Sequence, residues 1–140
     1  MIEKTVQTAM SDAVATVPPD ATATEAANLL RRREVGSLVV VATAEVVGIV
    51  AESDFVALVG EDADPDTPVS AFMSAPVVTV TPETTLADAA TTMREAGVKK
   101  LPVIADGDLA GVVTTTDLAH FLPRYRTDVE WRGEPLTGDG

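Results

Sequence analysis

The chain contains the stretch Gly48-Ile-Val-Ala-Glu-Ser-Asp54 and, 63 residues later, the stretch Gly111-Val-Val-Thr-Thr-Thr-Asp117. When the sequence is shifted by that distance, positions 6–59 align with positions 69–122 without a gap, and 18 of the 54 pairs are identical. The identities include Met10/Met73, Ser11/Ser74, Pro19/Pro82, Gly48/Gly111 and Asp54/Asp117. Identities at one fixed period are the signature of an internal repeat. The sequence therefore predicts a tandem duplication.

Each repeat predicts the same order of elements, β-α-β-β-α. A short strand (Val14–Val17 and Val77–Val80) is followed by a proline and then by a helix. The first helix starts with the capping box Thr22-x-x-Glu25, and the second starts with the weaker version Thr85-x-x-Asp88. We expect these helices to end near Glu34 and Ala96, where Gly97 suits a left-handed helix end.

Two apolar strands and a last helix complete each predicted repeat. The strands are Leu38–Ala42 with Val46–Val50, and Leu101–Ala105 with Leu109–Val113. Asp106-Gly107 is a hairpin turn signal, and the last helices begin at Ser53-Asp54 and Thr116-Asp117. Because a unit of this length buries little core alone, we expect an α/β fold in which the two repeats pack face to face.

The predicted boundaries divide the chain into four parts: repeat 1 at 6–59, an acidic linker at 60–67, repeat 2 at 68–123 and a C-terminal tail at 124–140. The linker carries four acids and no base. The tail holds the only tyrosine, Tyr125, and the only tryptophan, Trp131. These two rings could dock on the chain's own surface or on a partner, and the sequence does not choose.

Composition narrows the classes of function. Apolar residues make up 46% of the chain, which supports a packed core. The absence of cysteine excludes disulfides and thiolate metal sites, and His120 is the only histidine. No nucleophile elbow or phosphate-binding P-loop is present, so we expect neither an enzyme nor a metal site. Since no apolar run approaches the length of a bilayer span, we expect a cytoplasmic protein without membrane association.

The net charge of −12 argues against nucleic acid and anionic membranes as partners. The acids could serve a basic partner, or they could form a solvated surface suited to a salt-rich cytoplasm. The acids are spread along the chain and lysine occurs only at Lys4, Lys99 and Lys100. This pattern resembles the composition of halophilic archaeal proteins, and we favour that interpretation.

The repeated glycine-to-aspartate stretch joins a predicted strand to a helix N-terminus. Such a junction offers free backbone N–H groups and a positive dipole end, both suited to phosphate. Hydroxyls precede Asp117, and an aspartate can accept two hydrogen bonds from a ribose diol. Serine, threonine and aspartate are also ordinary helix caps, and a duplicated fold duplicates its caps, so a purely structural role is the alternative.

The combination of motifs resembles a pair of cystathionine-β-synthase (CBS) domains, also called a Bateman module. In repeat 2 the resemblance rests on Met73, Val77–Val80, Ala89-Ala90, Gly97-Val98, Leu101-Pro-Val103 and Gly111–Asp117. In repeat 1 it rests on Gly36–Val41 and Gly48–Asp54. The resemblance covers residues 6–122.

The resemblance implies that the two repeats pack by pseudo-twofold symmetry and form two clefts between them that bind adenosine compounds. Asp117, Thr114 and Thr116 would contact ribose and phosphate in one cleft, with adenine against Ala15, Val35 and Gly36. In the other cleft Asp54 and Ser53 would face Val78, Val98 and Lys99. That second cleft departs from the pattern at Ala51 and Glu52, where a hydroxyl is missing and an acid is added. We therefore expect a phosphorylated ligand to prefer the Asp117 cleft, with Lys99 and Lys100 in the same repeat.

By the same resemblance, the chain is a stand-alone regulatory module that forms a homodimer through its helices and signals to a partner protein. The implied ligand is AMP, ADP, ATP or S-adenosylmethionine, and no cofactor is required. The alternative from another class is a structural adaptor whose clefts are empty and whose dimer surface is the function. The sequence names neither the ligand nor the regulated partner.

Overall fold

The computed structural model describes residues 3–121 and has the predicted mixed α/β architecture of two repeats. Repeat 1 contains α1 (Val6–Ala9), β1 (Thr16–Val17), α2 (Ala23–Arg33), β2 (Ser37–Ala42), β3 (Glu45–Ala51) and α3 (Glu52–Gly60). Repeat 2 contains a 3₁₀ turn (Val69–Ala71), α4 (Leu86–Ala96), β4 (Lys100–Ala105), β5 (Asp108–Thr114) and α5 (Thr115–Phe121). The predicted tail, with Tyr125 and Trp131, lies outside the described residues.

The predicted helix starts and ends are confirmed. The Glu25 N–H donates to Thr22 Oγ1 at 3.1 Å and the Thr22 N–H donates to Glu25 Oε1 at 2.9 Å, which completes the capping box of α2. In α4 only one bond is formed, from the Asp88 N–H to Thr85 Oγ1 at 3.1 Å. The two helices end in left-handed residues, Glu34 at φ 55° and Gly97 at φ 70°.

The two hairpins are confirmed, with antiparallel pairs β2–β3 and β4–β5. Asp106 and Gly107 form the predicted turn with φ values of 52° and 85°. Thr43 and Ala44 adopt the same left-handed conformation in repeat 1, at 51° and 66°, although neither residue type favours it.

The strand predicted at Val77–Val80 is wrong except at its last residue. In repeat 1, β1 runs parallel to β2, and the Val39 N–H donates to the Ala15 carbonyl at 3.0 Å. The corresponding pair in repeat 2 is Pro102 and Val78, and a proline has no N–H to donate. Val80 alone keeps a parallel bridge, to Val103, and Val78 is 38% exposed.

The segments that precede the first strand of each repeat are exchanged between the two cores. Val6, from the start of repeat 1, is fully buried in the core of repeat 2 with Leu86, Leu101 and Val103. Val69, from the start of repeat 2, is fully buried in the core of repeat 1. Two isolated antiparallel β-bridges, Thr5 with Thr85 and Pro68 with Thr22, likewise join the start of each repeat to the other repeat. The repeats are thus related by pseudo-twofold symmetry.

The repeated Met-Ser pairs lie over the repeated glycines. Met73 packs on Gly48 and Met10 packs on Gly111 across the repeat interface. A Cβ atom at Gly111 would lie 2.6 Å from the Ser11 carbonyl oxygen, which leaves no room for a side chain. Ser11 and Val112 exchange two backbone hydrogen bonds of 2.9 and 3.0 Å at this point. Gly111 is therefore required by a close backbone approach between the repeats, and Gly48 by the position of the Met73 side chain.

The C-terminal end of the acidic linker is hydrogen-bonded to the first turn of α2 in repeat 1. The Thr67 carbonyl accepts from the Ala23 N–H at 2.8 Å, and the Pro65 carbonyl accepts from the Thr24 N–H at 3.2 Å. The Asp64 carboxylate accepts from the Asp66 N–H at 2.8 Å. Residues 64–67 thereby satisfy first-turn donors of α2 that would otherwise face solvent.

Candidate functional site

A cavity of about 430 Å³ lies between the repeats, beside the N-terminus of α3. Repeat 1 lines it with Gly36, Ile49, Ala51, Glu52, Ser53 and Asp54. Repeat 2 lines it with Ser74, Gly97, Val98, Lys99 and Lys100. The volume is in the range of small-molecule sites, and the lining combines apolar walls with a few polar groups. We refer to it as the Asp54 cavity.

The junction between β3 and α3 fixes the Asp54 side chain. The Ala51 N–H donates to Asp54 Oδ2 at 2.8 Å, and the Glu52 N–H donates to the Gly36 carbonyl at 3.2 Å. The carboxylate is half-buried, and within residues 3–121 its Oδ1 atom accepts no hydrogen bond. One oxygen is therefore held by the backbone while the other is available to a ligand donor.

The corresponding junction of repeat 2 has a more complete cap. The Thr114 N–H donates to Asp117 Oδ2 at 2.9 Å, and the Asp117 N–H donates to Thr114 Oγ1 at 3.1 Å. The Thr115 N–H donates to the Lys99 carbonyl at 3.0 Å. Thr114 and Asp117 are thus helix caps, and Thr116 is exposed in the first turn. The cap leaves Asp117 Oδ1 without a partner in the described part of the chain.

Three of the predicted site residues, Ser53, Val98 and Lys99, line the Asp54 cavity together with Asp54. Val78, predicted for the same cleft, is not among its lining residues. Gly36, predicted for the Asp117 cleft, lines the Asp54 cavity instead. It does so because its carbonyl accepts from the first N–H of α3, which holds the start of β2 against that helix.

The remaining two predicted residues lie elsewhere. Ala15 is 1% exposed in the core of repeat 1, and its carbonyl accepts from the Val39 N–H, so it offers no surface to adenine in this structure. Val35 is half-buried and lines a second cavity on the outer face of α2 and α3. Neither residue is joined to Asp117 by a described contact.

Lys99, predicted for the Asp54 cleft, lines the Asp54 cavity together with Lys100, although both lysines were also counted as charges in the same repeat as Asp117. Lys99 and Lys100 line the Asp54 cavity, because the start of β4 faces the other repeat. Three lining residues were missed by sequence reasoning: Ile49, Ser74 and Gly97. Ile49 and Ser74 exchange backbone hydrogen bonds of 2.9 and 3.2 Å. The signal for Ser74 was its identity with Ser11 across the repeat.

The second cavity, here called the helix-face groove, has a volume of about 550 Å³. It is lined by Ala27, Leu30, Arg31, Glu34, Val35, Gly36, Glu52 and Phe55. Nearby on α3, Val56 and Val59 are 72% and 80% exposed. Two of the groove residues, Gly36 and Glu52, also line the Asp54 cavity, so the groove and the cavity share a wall.

Among residues 3–121, no group of three histidine, cysteine or acidic side chains is arranged to hold a metal ion. His120 is exposed on α5, edge-on to Phe121 with ring centroids 5.1 Å apart. In the same part of the chain, no helix is both long and apolar enough to cross a bilayer.

The fold and the site define a class of protein: two α/β repeats that enclose a small-molecule cavity at their interface. The family model described as "CBS domain" matches this chain twice, at residues 5–61 and 69–124. The chain belongs to the CBS-domain family, and it carries a tandem pair of these domains, as the sequence motifs predict.

Individual relatives agree with this assignment. The chain is 34% identical over 115 residues to the CBS domain-containing protein YhcV of Bacillus subtilis, covering 81% of this chain and 82% of that protein. The crystal structure of an uncharacterized conserved protein from Pyrococcus horikoshii matches with a TM-score of 0.76 at 24% identity, covering 99% of each chain. The CBS domain pair of protein MJ0100, solved with 5′-methylthioadenosine and S-adenosyl-L-methionine, matches with a TM-score of 0.78 at 20% identity, covering 89% of this chain and 99% of that one. The last two show a common fold.

Proposed function

We propose that this CBS pair is a regulatory module that binds an adenosine-containing ligand between its repeats and signals its occupancy to a partner protein. The observation that carries the proposal is the Asp54 cavity, in which one carboxylate oxygen is fixed by the Ala51 N–H and the other is free. The adenosine compounds held by the MJ0100 pair support this class of ligand. Asp117, with an equivalent carboxylate, is the proposed ribose acceptor of the second cleft.

The residues around the cavity suggest how such a ligand would be held. Asp54 Oδ1 would accept from the ribose hydroxyls, while Ile49 and Val98 provide apolar surface for the base. The walls come from both repeats, so a bound ligand would contact both at once. A ligand shifts a conformational equilibrium only by its different affinity for the two states, and a cavity between two repeats is placed to produce such a difference.

The test is a thermal-shift panel with adenosine, AMP, ADP, ATP and S-adenosylmethionine, followed by titration calorimetry. At one hundred times its Kd, a ligand should stabilise the fold by about 2.7 kcal/mol. Asp54→Asn and Asp117→Asn retain an amide oxygen for the helix cap but remove the free carboxylate acceptor, so each should weaken binding about tenfold. Asp88→Asn, at an exposed first-turn position of α4, removes the same charge and should leave affinity unchanged.

Failure of all five compounds to bind would contradict the proposal. Equal losses from the two cleft variants would indicate that both clefts are used. Losses as large from Asp88→Asn would show a general charge effect rather than a ribose contact.

We further propose that two chains form a homodimer through the helix-face groove and the exposed valines of α3. Exposure of Val56 and Val59 beside an apolar groove is typical of an interaction surface. Val59→Glu should convert the dimer to a monomer in light-scattering measurements without loss of helix content. A dimer combined with the absence of any nucleotide effect would favour the structural adaptor.

A further inference from the structure

We infer that the Asp54 cavity selects an adenosine ligand whose 5′ substituent is neutral or carries a net positive charge over one that carries several phosphates, and that Glu52 sets this selectivity. The inference rests on the proposed function, since it concerns the ligand of the same cavity. It assigns the cavity a chemical class of ligand and Glu52 a role in specificity.

The first observation is the charge of the cavity wall. Lys99 and Lys100 line the cavity, but so do Glu52 and Asp54, so the four charged side chains sum to zero. The lysines therefore balance the two acids and leave no excess positive charge for a polyphosphate. A ligand whose 5′ end carries no net negative charge does not need an excess of positive charge in the cavity.

The second observation concerns the N-terminus of α3. Its first turn already contains two acids, Glu52 and Asp54, which neutralise the positive end of the helix dipole. Two backbone donors at this junction are also engaged, the Ala51 N–H with Asp54 Oδ2 and the Glu52 N–H with the Gly36 carbonyl. A phosphate at this end of the cavity would meet carboxylates and few free N–H groups.

The third observation is the contrast with repeat 2. There the residues that correspond to Ala51 and Glu52 are Thr114 and Thr115, so a hydroxyl replaces a methyl group and a neutral side chain replaces an acid. Asp117 is the only acid in the first turn of α5. The Asp54 and Asp117 carboxylates are held by equivalent backbone N–H groups, while the first turn of α3 carries one acid more than that of α5, namely Glu52.

The test measures affinities by calorimetry in the presence of a chelator, so that no divalent cation bridges phosphate and carboxylate. The protein is the full chain with Asp117→Asn, which weakens binding at the second cleft, so that the tighter binding event reports on the Asp54 cavity. The probes are 5′-methylthioadenosine, S-adenosylmethionine and ATP. We expect the first two to bind at least about tenfold more tightly than ATP, a difference that corresponds to roughly 1.4 kcal/mol.

Glu52→Gln and Glu52→Thr, the second of which introduces the residue of repeat 2, should each reduce that preference about tenfold by strengthening ATP binding. Glu45→Gln is the matched control, because Glu45 is an exposed acid at the start of β3 and does not line the cavity. It should leave the preference unchanged.

Binding of ATP as tight as that of 5′-methylthioadenosine would overturn the inference and leave the proposed function standing. An equal effect of Glu45→Gln and Glu52→Gln would overturn the role of Glu52, because net charge would then explain the change. If none of the three probes binds at the intact Asp54 cavity, both the inference and the assignment of an adenosine site there are wrong.

Discussion

Gly48 and Gly111 lie at the interface between the repeats, each in contact with a methionine of the other repeat. Their repetition ahead of Asp54 and Asp117 suggests a phosphate-binding turn. In the structure, Gly48 lies against the Met73 side chain, and Gly111 lies against the Ser11 carbonyl oxygen and the Met10 side chain. The need for glycine arises from a contact that is distant in sequence, which no local motif could reveal.

Gly111→Ala should destabilise the protein by about 1–3 kcal/mol, because its Cβ would lie 2.6 Å from the Ser11 carbonyl oxygen and 3.0 Å from Met10 Sδ. Gly36→Ala is the matched control, since nothing lies within 4 Å of the Cβ position there. Urea unfolding followed by circular dichroism measures both. Equal losses from the two variants would contradict the close approach.

The candidate site was predicted in part at the residue scale. Asp54, Ser53, Val98 and Lys99 line one cavity as the family resemblance implies. Ala15 is buried in the core, and Val78 lies outside the lining, because both depend on how the first strand of each repeat pairs. Such pairing is set by tertiary contacts rather than by the local pattern.

At the scale of elements, the helices and hairpins follow from the sequence because their signals are local. Capping residues, a left-handed glycine and Asp106-Gly107 each act within a few positions. The short helix α1 and the 3₁₀ turn were missed, since four and three residues carry no measurable periodicity. The loss of the strand before Val80 follows from Pro102, which replaces the residue that donates its N–H to the first strand in repeat 1, where Val39 donates to the Ala15 carbonyl.

The exchanged segments predict a specific effect of Val6→Ala. Val6 is fully buried in the core of repeat 2, so this substitution should cost about 2 kcal/mol. Amide hydrogen exchange should increase mainly in β4 and β5, although Val6 belongs to repeat 1 in sequence. Val78→Ala, at a 38% exposed position, should have little effect. Faster amide hydrogen exchange confined to β2 and β3 would contradict the placement of Val6 in the core of repeat 2.

At the scale of the whole molecule, the excess of acids should make stability depend on salt. With 22 acids and 10 bases, the folded chain repels itself when the charges are unscreened. We expect the Tm to rise between roughly 0.1 and 2 M KCl, over which the Debye length falls from about 10 Å to a few ångströms. An unchanged Tm in differential scanning calorimetry would remove the support for a halophilic surface.

In the whole molecule, the proposed ligand cavity and the proposed dimer surface adjoin each other at Gly36 and Glu52. Gly36 and Glu52 line both the Asp54 cavity and the helix-face groove. The Glu52 N–H donates a hydrogen bond to the Gly36 carbonyl, which ties α3 to the start of β2. A ligand that moves the first turn of α3 would therefore change the surface proposed for the second chain. This geometry is consistent with a module that converts ligand binding into a change at an interface.

The most direct test of the account is an NMR titration of the ¹⁵N-labelled full chain with 5′-methylthioadenosine, a neutral adenosine compound. The account predicts saturable shifts of the Ala51, Asp54 and Val98 amides, which lie at the Asp54 cavity, and little change at Thr43 in the distant hairpin turn. Asp54→Asn should reduce the affinity obtained from those shifts about tenfold. Shifts restricted to residues outside the cavity, or no shifts at all, would contradict the claim that an adenosine ligand binds between the repeats at Asp54.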